Sequence, residues 1–256
     1  MPERRGHDPK QARSAWPRRF HIRHGLGYLL GIEAFAIFAL APLIEIGVVP
    51  HALLWVTFTL ILIGGVTLTD LRGVGGRLLL GVVAVMLPVQ LWRYVAPNEF
   101  ILVLHPIGLI LFLVLLSLGL ARTVFRSERV GTDQVLGGVV LYLNIGLTFA
   151  VIYSLLAHVS PDAFLLPTPP PERPVHPSYF AYFSFVTLTT VGYGDTVPVE
   201  AVAKSLATLE AALGQLYPAI ILARLVSIEV SQREAKLMAK NRQKEAEHAH
   251  GTTGKS

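Results

Sequence analysis

Long apolar runs separated by short polar punctuation fill most of this 256-residue chain. A helix that crosses a bilayer needs about 20 mostly apolar residues. Six runs approach that length: 27–49, 53–68, 78–95, 100–120, 135–158 and 197–226. A shorter aromatic run, 178–189, lies between the last two. It is too short to cross and reads as a re-entrant helix. Irregular backbone beside such a helix is tolerated only where protein or a water-filled cavity covers it. The pattern predicts an all-α membrane protein with six transmembrane helices, a re-entrant helix and a loop.

Composition agrees. Hydrophobic residues make up 52% of the chain and charged residues 15%, against about 25% charged in soluble domains. The 22 basic and 17 acidic residues raise the question of nucleic acid, but apolar runs separate the basic clusters, so none is expected. The absence of cysteine excludes disulfides and thiolate chemistry. The first 25 residues carry Arg4, Arg5, Lys10 and further arginines without an apolar core, which predicts a basic tail and not a cleavable signal. With the N-terminus cytoplasmic, only Arg93 and Arg173 fall in the outer connections. The positive-inside rule then places both termini in the cytoplasm of a multi-pass inner-membrane protein. Seven prolines between Pro161 and Pro177 predict a stiff, extended outer turret.

The chain divides into a basic tail (1–24), a four-helix bundle (25–122), a cytoplasmic linker (123–134), a pore-like unit (135–228) and a charged tail (229–256). That last tail is too short for a nucleotide-binding module, and no soluble partner is expected. Helix is expected over 229–244, with His248 and His250 beyond it as titratable groups in a solvated tail.

Thr189-Thr190-Val191-Gly192-Tyr193-Gly194-Asp195 follows the aromatic half-helix. Gly192 and Gly194 reach left-handed backbone angles cheaply, and Asp195 concentrates cations at a mouth. An ordinary turn uses the same residue types but requires neither the Thr-Thr-Val run nor the flanking half-helix and spans. The motif resembles the selectivity filter of potassium channels. With six spans, the chain is similar to prokaryotic potassium channels of the voltage-gated-like superfamily.

That resemblance implies a homotetramer, each chain partnered by three identical subunits in lipid. Potassium ions would be held by Thr190, Val191, Gly192 and Tyr193 carbonyls, with Gly194 completing the row and Asp195 at the outer mouth. No cofactor is implied beyond the permeant ion, and no enzymatic step. Tyr193 is expected to turn outward onto aromatics, with Tyr182, Phe183 and Phe185 packed around the filter and Val186 in the supporting helix. In a two-helix bacterial member of that family a glutamate stands where Val186 does, so Asp195 lacks that carboxylate partner here. Gly214, 19 positions after Asp195, matches a hinge glycine, and Pro218 adds a kink one turn on. Close helix packing is the plainer role for a small residue at Gly214. Gln215, Pro218 and Leu222 would face the cavity.

Glu210 is an intramembrane carboxylate, costly unless it works. It either attracts cations in the cavity or bonds a hydroxyl behind the filter. Glu33, Glu45, Arg93 and His105 read as inward polar contacts of the bundle. A voltage-sensor helix repeats Arg or Lys at every third position, and run 100–120 has neither. Arg122, Arg126 and Arg129 suit a helical connector on the inner surface. Gly73-Val-Gly75-Gly76 reads as a short cytoplasmic turn. A non-selective cation channel of the same fold and, more remotely, a secondary transporter are the rival functions.

Overall fold

The computed structural model describes residues 25–50, 52–68, 73–96, 98–126, 132–166 and 177–253. The basic tail, Arg72, Arg129, Arg173 and the prolines from Pro167 to Pro174 lie outside them, as do the side chains of Glu45, His248 and His250. Seven helices are described: α1 (Gly25–Ile44), α2 (Ala52–Leu68), α3 (Val74–Val95), α4 (Glu99–Arg126), α5 (Thr132–Val159), α6 (Pro177–Leu188) and α7 (Ala201–Thr253). Two short strands, β1 (Phe164–Leu165) and β2 (Val197–Pro198), pair antiparallel.

Among the described residues, α1, α3, α4, α5 and α7 are long and apolar enough to cross a membrane. The second expected span falls short of that length. Helix α2 has 17 residues, a rise of about 26 Å against a hydrocarbon core of about 30 Å.

Helix α1 carries a π-helical turn over Ala36–Leu40. Its cause is Pro42, which lacks an N–H and whose ring crowds the carbonyl four residues back. The register shifts so that the Ala41 N–H meets the Ala36 carbonyl. The helix then stops at Gly47, with φ +73°. The Gly47 N–H bonds Ile44 O at 3.0 Å and the Val48 N–H bonds Leu43 O at 3.0 Å, a Schellman closure that a glycine makes without strain.

Three expected boundaries move. The last span starts at Ala201, not at Val197, because Val197 and Pro198 pair with Leu165 and Phe164. It does not end at Val226 either: α7 runs 53 residues to Thr253, about 80 Å. The inner connector shrinks, since Arg122 and Arg126 are the last turns of α4 and α5 resumes at Thr132. Gly75 and Gly76 belong to the first turn of α3, which Gly73 precedes in extended conformation, so they do not form a free turn.

Leu29, Ile61, Leu79, Phe112, Leu113 and Leu143 belong to a buried core shared by α1–α5. Small residues let the helices close, as membrane packing requires: a β-carbon at Gly65 would come within 2.8 Å of Phe112 and 3.3 Å of Leu116. Polar groups inside the bundle face one another. Gln90 donates to Thr59 at 3.0 Å, and Arg93 lies 3.0 Å from His105 Nδ1. Asn144 donates to Leu113 O at 2.9 Å and lies 2.6 Å from Ser117 Oγ. Glu33 departs from the expected polar contact: it is fully buried, and neither of its carboxyl oxygens has a hydrogen-bond partner among the described residues.

Gly65→Val should push α2 off α4 and lower stability by about 1–3 kcal/mol, the usual cost of overpacking. Thermal unfolding of the purified protein in detergent would register this as a lower midpoint, and an unchanged midpoint would contradict the packing.

Candidate ion-conducting site

A helix leaves its last four carbonyls without intrahelical partners, and those of α6 are all accounted for. Phe185 O accepts the Thr189 N–H at 3.0 Å and the Thr189 hydroxyl at 2.6 Å. Val186 O accepts the Val191 N–H at 2.9 Å and the Gly192 N–H at 3.3 Å. Thr187 O accepts the Thr190 N–H at 2.9 Å. Leu188 O accepts the Tyr142 hydroxyl at 3.3 Å.

This capping fixes where the loop carbonyls go. In a planar trans peptide the C=O points opposite to the N–H of the next residue. With the amides of Val191 and Gly192 drawn to Val186 O, the carbonyls of Thr190 and Val191 face away from α6. The backbone follows: φ is +59° at Thr190, +58° at Gly192 and +78° at Gly194, and positive at neither Val191 nor Tyr193. Alternating mirror-related conformations turn successive peptide dipoles the same way. Gly192 and Gly194 hold the left-handed angles their composition suggests. Thr190 was not legible, because a β-branched residue at positive φ is an outlier that costs about 1–3 kcal/mol.

Thr190 Oγ1 donates to Thr189 O at 2.7 Å and accepts from Gln215 Nε2 at 2.7 Å. Gln215 therefore meets the start of the loop, and Pro218 and Leu222 further along α7 are exposed. Asp195 Oδ1 accepts the Thr196 N–H at 3.0 Å. Tyr182 and Tyr193 stack with centroids 6.4 Å apart and planes 2° from parallel.

The other aromatics are not around the loop. Phe183 packs on Tyr153 at 5.0 Å and Phe164 at 5.6 Å, behind α6, and Phe185 faces Phe38 of α1 at 6.2 Å. A helix of this length presents its ring-bearing residues in several directions, and only Tyr182 shares the side of the filter-like loop. Val186 supports the loop by its carbonyl, a contribution its side chain does not advertise.

Glu210 requires a correction. It is not a cavity residue: it is fully buried behind α6, with Oε2 accepting from the Tyr153 hydroxyl at 2.7 Å and Oε1 lying 2.5 Å from Ser184 Oγ. Of the alternatives for Glu210, the geometry realises the hydroxyl contact. One turn on, Gly214 is buried against the end of α6, where a β-carbon would overlap the Leu188 carbonyl. It serves close packing, and α7 runs through it and through Pro218 as one helix.

Below the site the inner end of α7 is tied outward. Tyr217 donates to Gly138 O at 2.7 Å and stacks on Tyr142 at 5.7 Å. Arg224 donates to Phe125 O of α4 and lies 5.6 Å over the Phe125 ring.

Residues 141–230, from within α5 to within α7, match a family model described as an ion channel. Protein LctB of Bacillus caldotenax is 35% identical over 103 residues, 39% of this chain and 75% of that protein. The chain belongs to the ion channel family. As an ion channel it carries out no enzymatic chemistry, and its apolar helices make it a membrane protein. The match spans the α5–α6–loop–α7 unit, and α1–α4 precede it. No solved structure matches.

Gly214→Ala should force α7 away from Leu188 at a cost of about 1–3 kcal/mol. The expected readings are a lower thermal midpoint and reduced ion flux in liposomes. Wild-type values for both would show that the helices have room there.

Proposed function

We propose that this channel is potassium-selective, a homotetramer in which four copies of the 190–194 loop surround a shared axis. One observation carries the reading: the loop amides of Val191 and Gly192 are spent on Val186 O, so the adjoining carbonyls face the exposed side of the chain. Rows of such carbonyls replace a potassium ion's hydration shell in filters of this sequence. A single chain surrounds nothing. Val191 is 54% and Tyr193 70% exposed, a surface that neighbouring copies would cover, and a ring of identical subunits has cyclic symmetry.

In this reading Thr190, Val191, Gly192 and Tyr193 carry the ions, Asp195 concentrates cations at the outer mouth, and Gln215 and Leu222 line the inner cavity. The C-terminal end of α6 points its negative dipole toward that cavity. The topology is six spans, with α2 crossing as a short helix and both termini cytoplasmic in the cell membrane. Helix α4 carries no Lys or Arg before Arg122, so opening depends weakly on voltage. The stacked Tyr182–Tyr193 pair, which braces the loop from the side, favours selective conduction over the non-selective alternative.

Gly192→Ala should abolish potassium flux while leaving the oligomer intact, because alanine at φ +58° is strained. Reversal potentials in mixed potassium and sodium gradients check selectivity. A potential that ignores the potassium gradient would sink potassium selectivity, and an unchanged selective current in the variant would sink the role of Gly192.

A further inference from the structure

Three oxygen–oxygen contacts meet behind α6. Tyr153 Oη lies 2.7 Å from Glu210 Oε2. Glu210 Oε1 lies 2.5 Å from Ser184 Oγ. Ser184 Oγ lies 2.7 Å from Gly146 O. Tyr153, Ser184 and Glu210 are all 0% exposed.

Each contact at such a distance requires one proton between its oxygens. Tyr153 supplies one, Ser184 supplies one, and a peptide carbonyl supplies none. With an ionised Glu210, two protons serve three contacts. One pair of oxygens would then face each other with lone pairs only, away from water, at the full cost of an unmade bond. A proton on Glu210 Oε1 closes the chain: Tyr153 donates to Oε2, Glu210 donates to Ser184, and Ser184 donates to Gly146 O. Every oxygen is then satisfied, and the donors all run in one direction.

We propose that Glu210 is a neutral, hydrogen-bonding strut that sets the position of α6, and with it the filter, against both flanking helices. This rests on the reading of residues 190–194 as the filter. The chain ties α7 (Glu210) to α6 (Ser184) and α5 (Tyr153 and Gly146). Ser184 precedes Val186 by two residues, and Val186 O holds the loop amides at 2.9 and 3.3 Å. A shift of Ser184 therefore moves the acceptor that turns the filter carbonyls. Two further contacts keep the three helices close enough for the chain to form. Gly214 abuts the Leu188 carbonyl, and a β-carbon at Gly146 would come within 2.6 Å of Phe185. Glu210 is a positioning residue: it does not touch the conducted ion, and it adds no charge to the conduit.

The strut and a charged glutamate differ under substitution. Of glutamine's two N–H donors, one takes the place of the acid O–H, and its carbonyl takes the place of the acid C=O. Glu210→Gln should therefore keep potassium flux and thermal midpoint within about twofold and a few degrees of wild type. Glu210→Ala leaves the Tyr153 hydroxyl buried without its acceptor and should reduce flux more than about tenfold.

Infrared difference spectra of purified wild type minus Glu210→Gln read the proton directly and do not require Glu210→Ala to fold. The subtraction also cancels every other carboxyl group that the substitution leaves unchanged. The expected result is a protonated-carboxyl C=O stretch that shifts in heavy water. An ionised-carboxylate signal in that difference overturns the proposal, and so does a Glu210→Gln channel that loses flux as Glu210→Ala does. A wild type without potassium flux overturns the filter reading instead, and the spectrum then decides the strut by itself.

Discussion

The site depends on one acceptor, the Val186 carbonyl at the end of α6. A helix C-terminus must find donors for its last carbonyls, and the loop supplies its own amides to Val186 O at 2.9 and 3.3 Å. Peptide planarity does the rest, because amides committed to one side leave carbonyls on the other. The strained φ of +59° at Thr190 follows from the same requirement: the chain has to reverse at the helix end quickly enough for its next two amides to reach back. Ordinary helix termination and the exposed row of carbonyls are one structural event.

Holding that acceptor still occupies the elements around it. Tyr153, Phe164, Phe180 and Phe183 form a buried aromatic wall behind α6, with rings between 4.9 and 6.5 Å apart, a spacing at which edge and tilted contacts are favourable. The β1–β2 pair and the Ser160–Glu200 hydrogen bond at 2.6 Å join the end of α5 to the start of α7, closing a frame around α6. The first helices lean on this frame through Phe38 and Phe185.

The left-handed glycines of the loop, the short aromatic helix and most of the long apolar helices were legible in the sequence, because a long apolar run and a pair of glycines each correspond to one local geometry. Bounds set by long-range pairing were not. Nothing local announces that Val197 and Pro198 are taken by Phe164 and Leu165. Nor does apolarity mark the far end of α7, whose charged residues continue the helix after the apolar run stops. The cavity placement of Glu210 failed for a similar reason. A mid-span carboxylate attracts an ion or a hydroxyl equally well in one dimension, and its choice depends on Tyr153, 57 positions away, and Ser184, 26 away. Thr190 reads from its residue type as extended, and only the acceptors of α6 force it otherwise.

The anchors along α7 also limit where it can bend. Glu210 and Gly214 are fastened to α6, Tyr217 to Gly138 of α5, and Arg224 to Phe125 at the end of α4. A bend at Gly214 would withdraw the helix from the Leu188 carbonyl and disturb the end of α6, on which the 190–194 loop geometry rests. A bend between Tyr217 and Arg224 disturbs neither. Pro218 opens that interval, and a proline interrupts the helix hydrogen-bond ladder. Of the two positions, Pro218 is therefore the one whose distortion leaves the 190–194 loop and its acceptor untouched. Arg224 ties the part of α7 beyond Pro218 directly to α4 through the Phe125 carbonyl and ring, so a distortion at the proline would be felt by α4 before it reached α6.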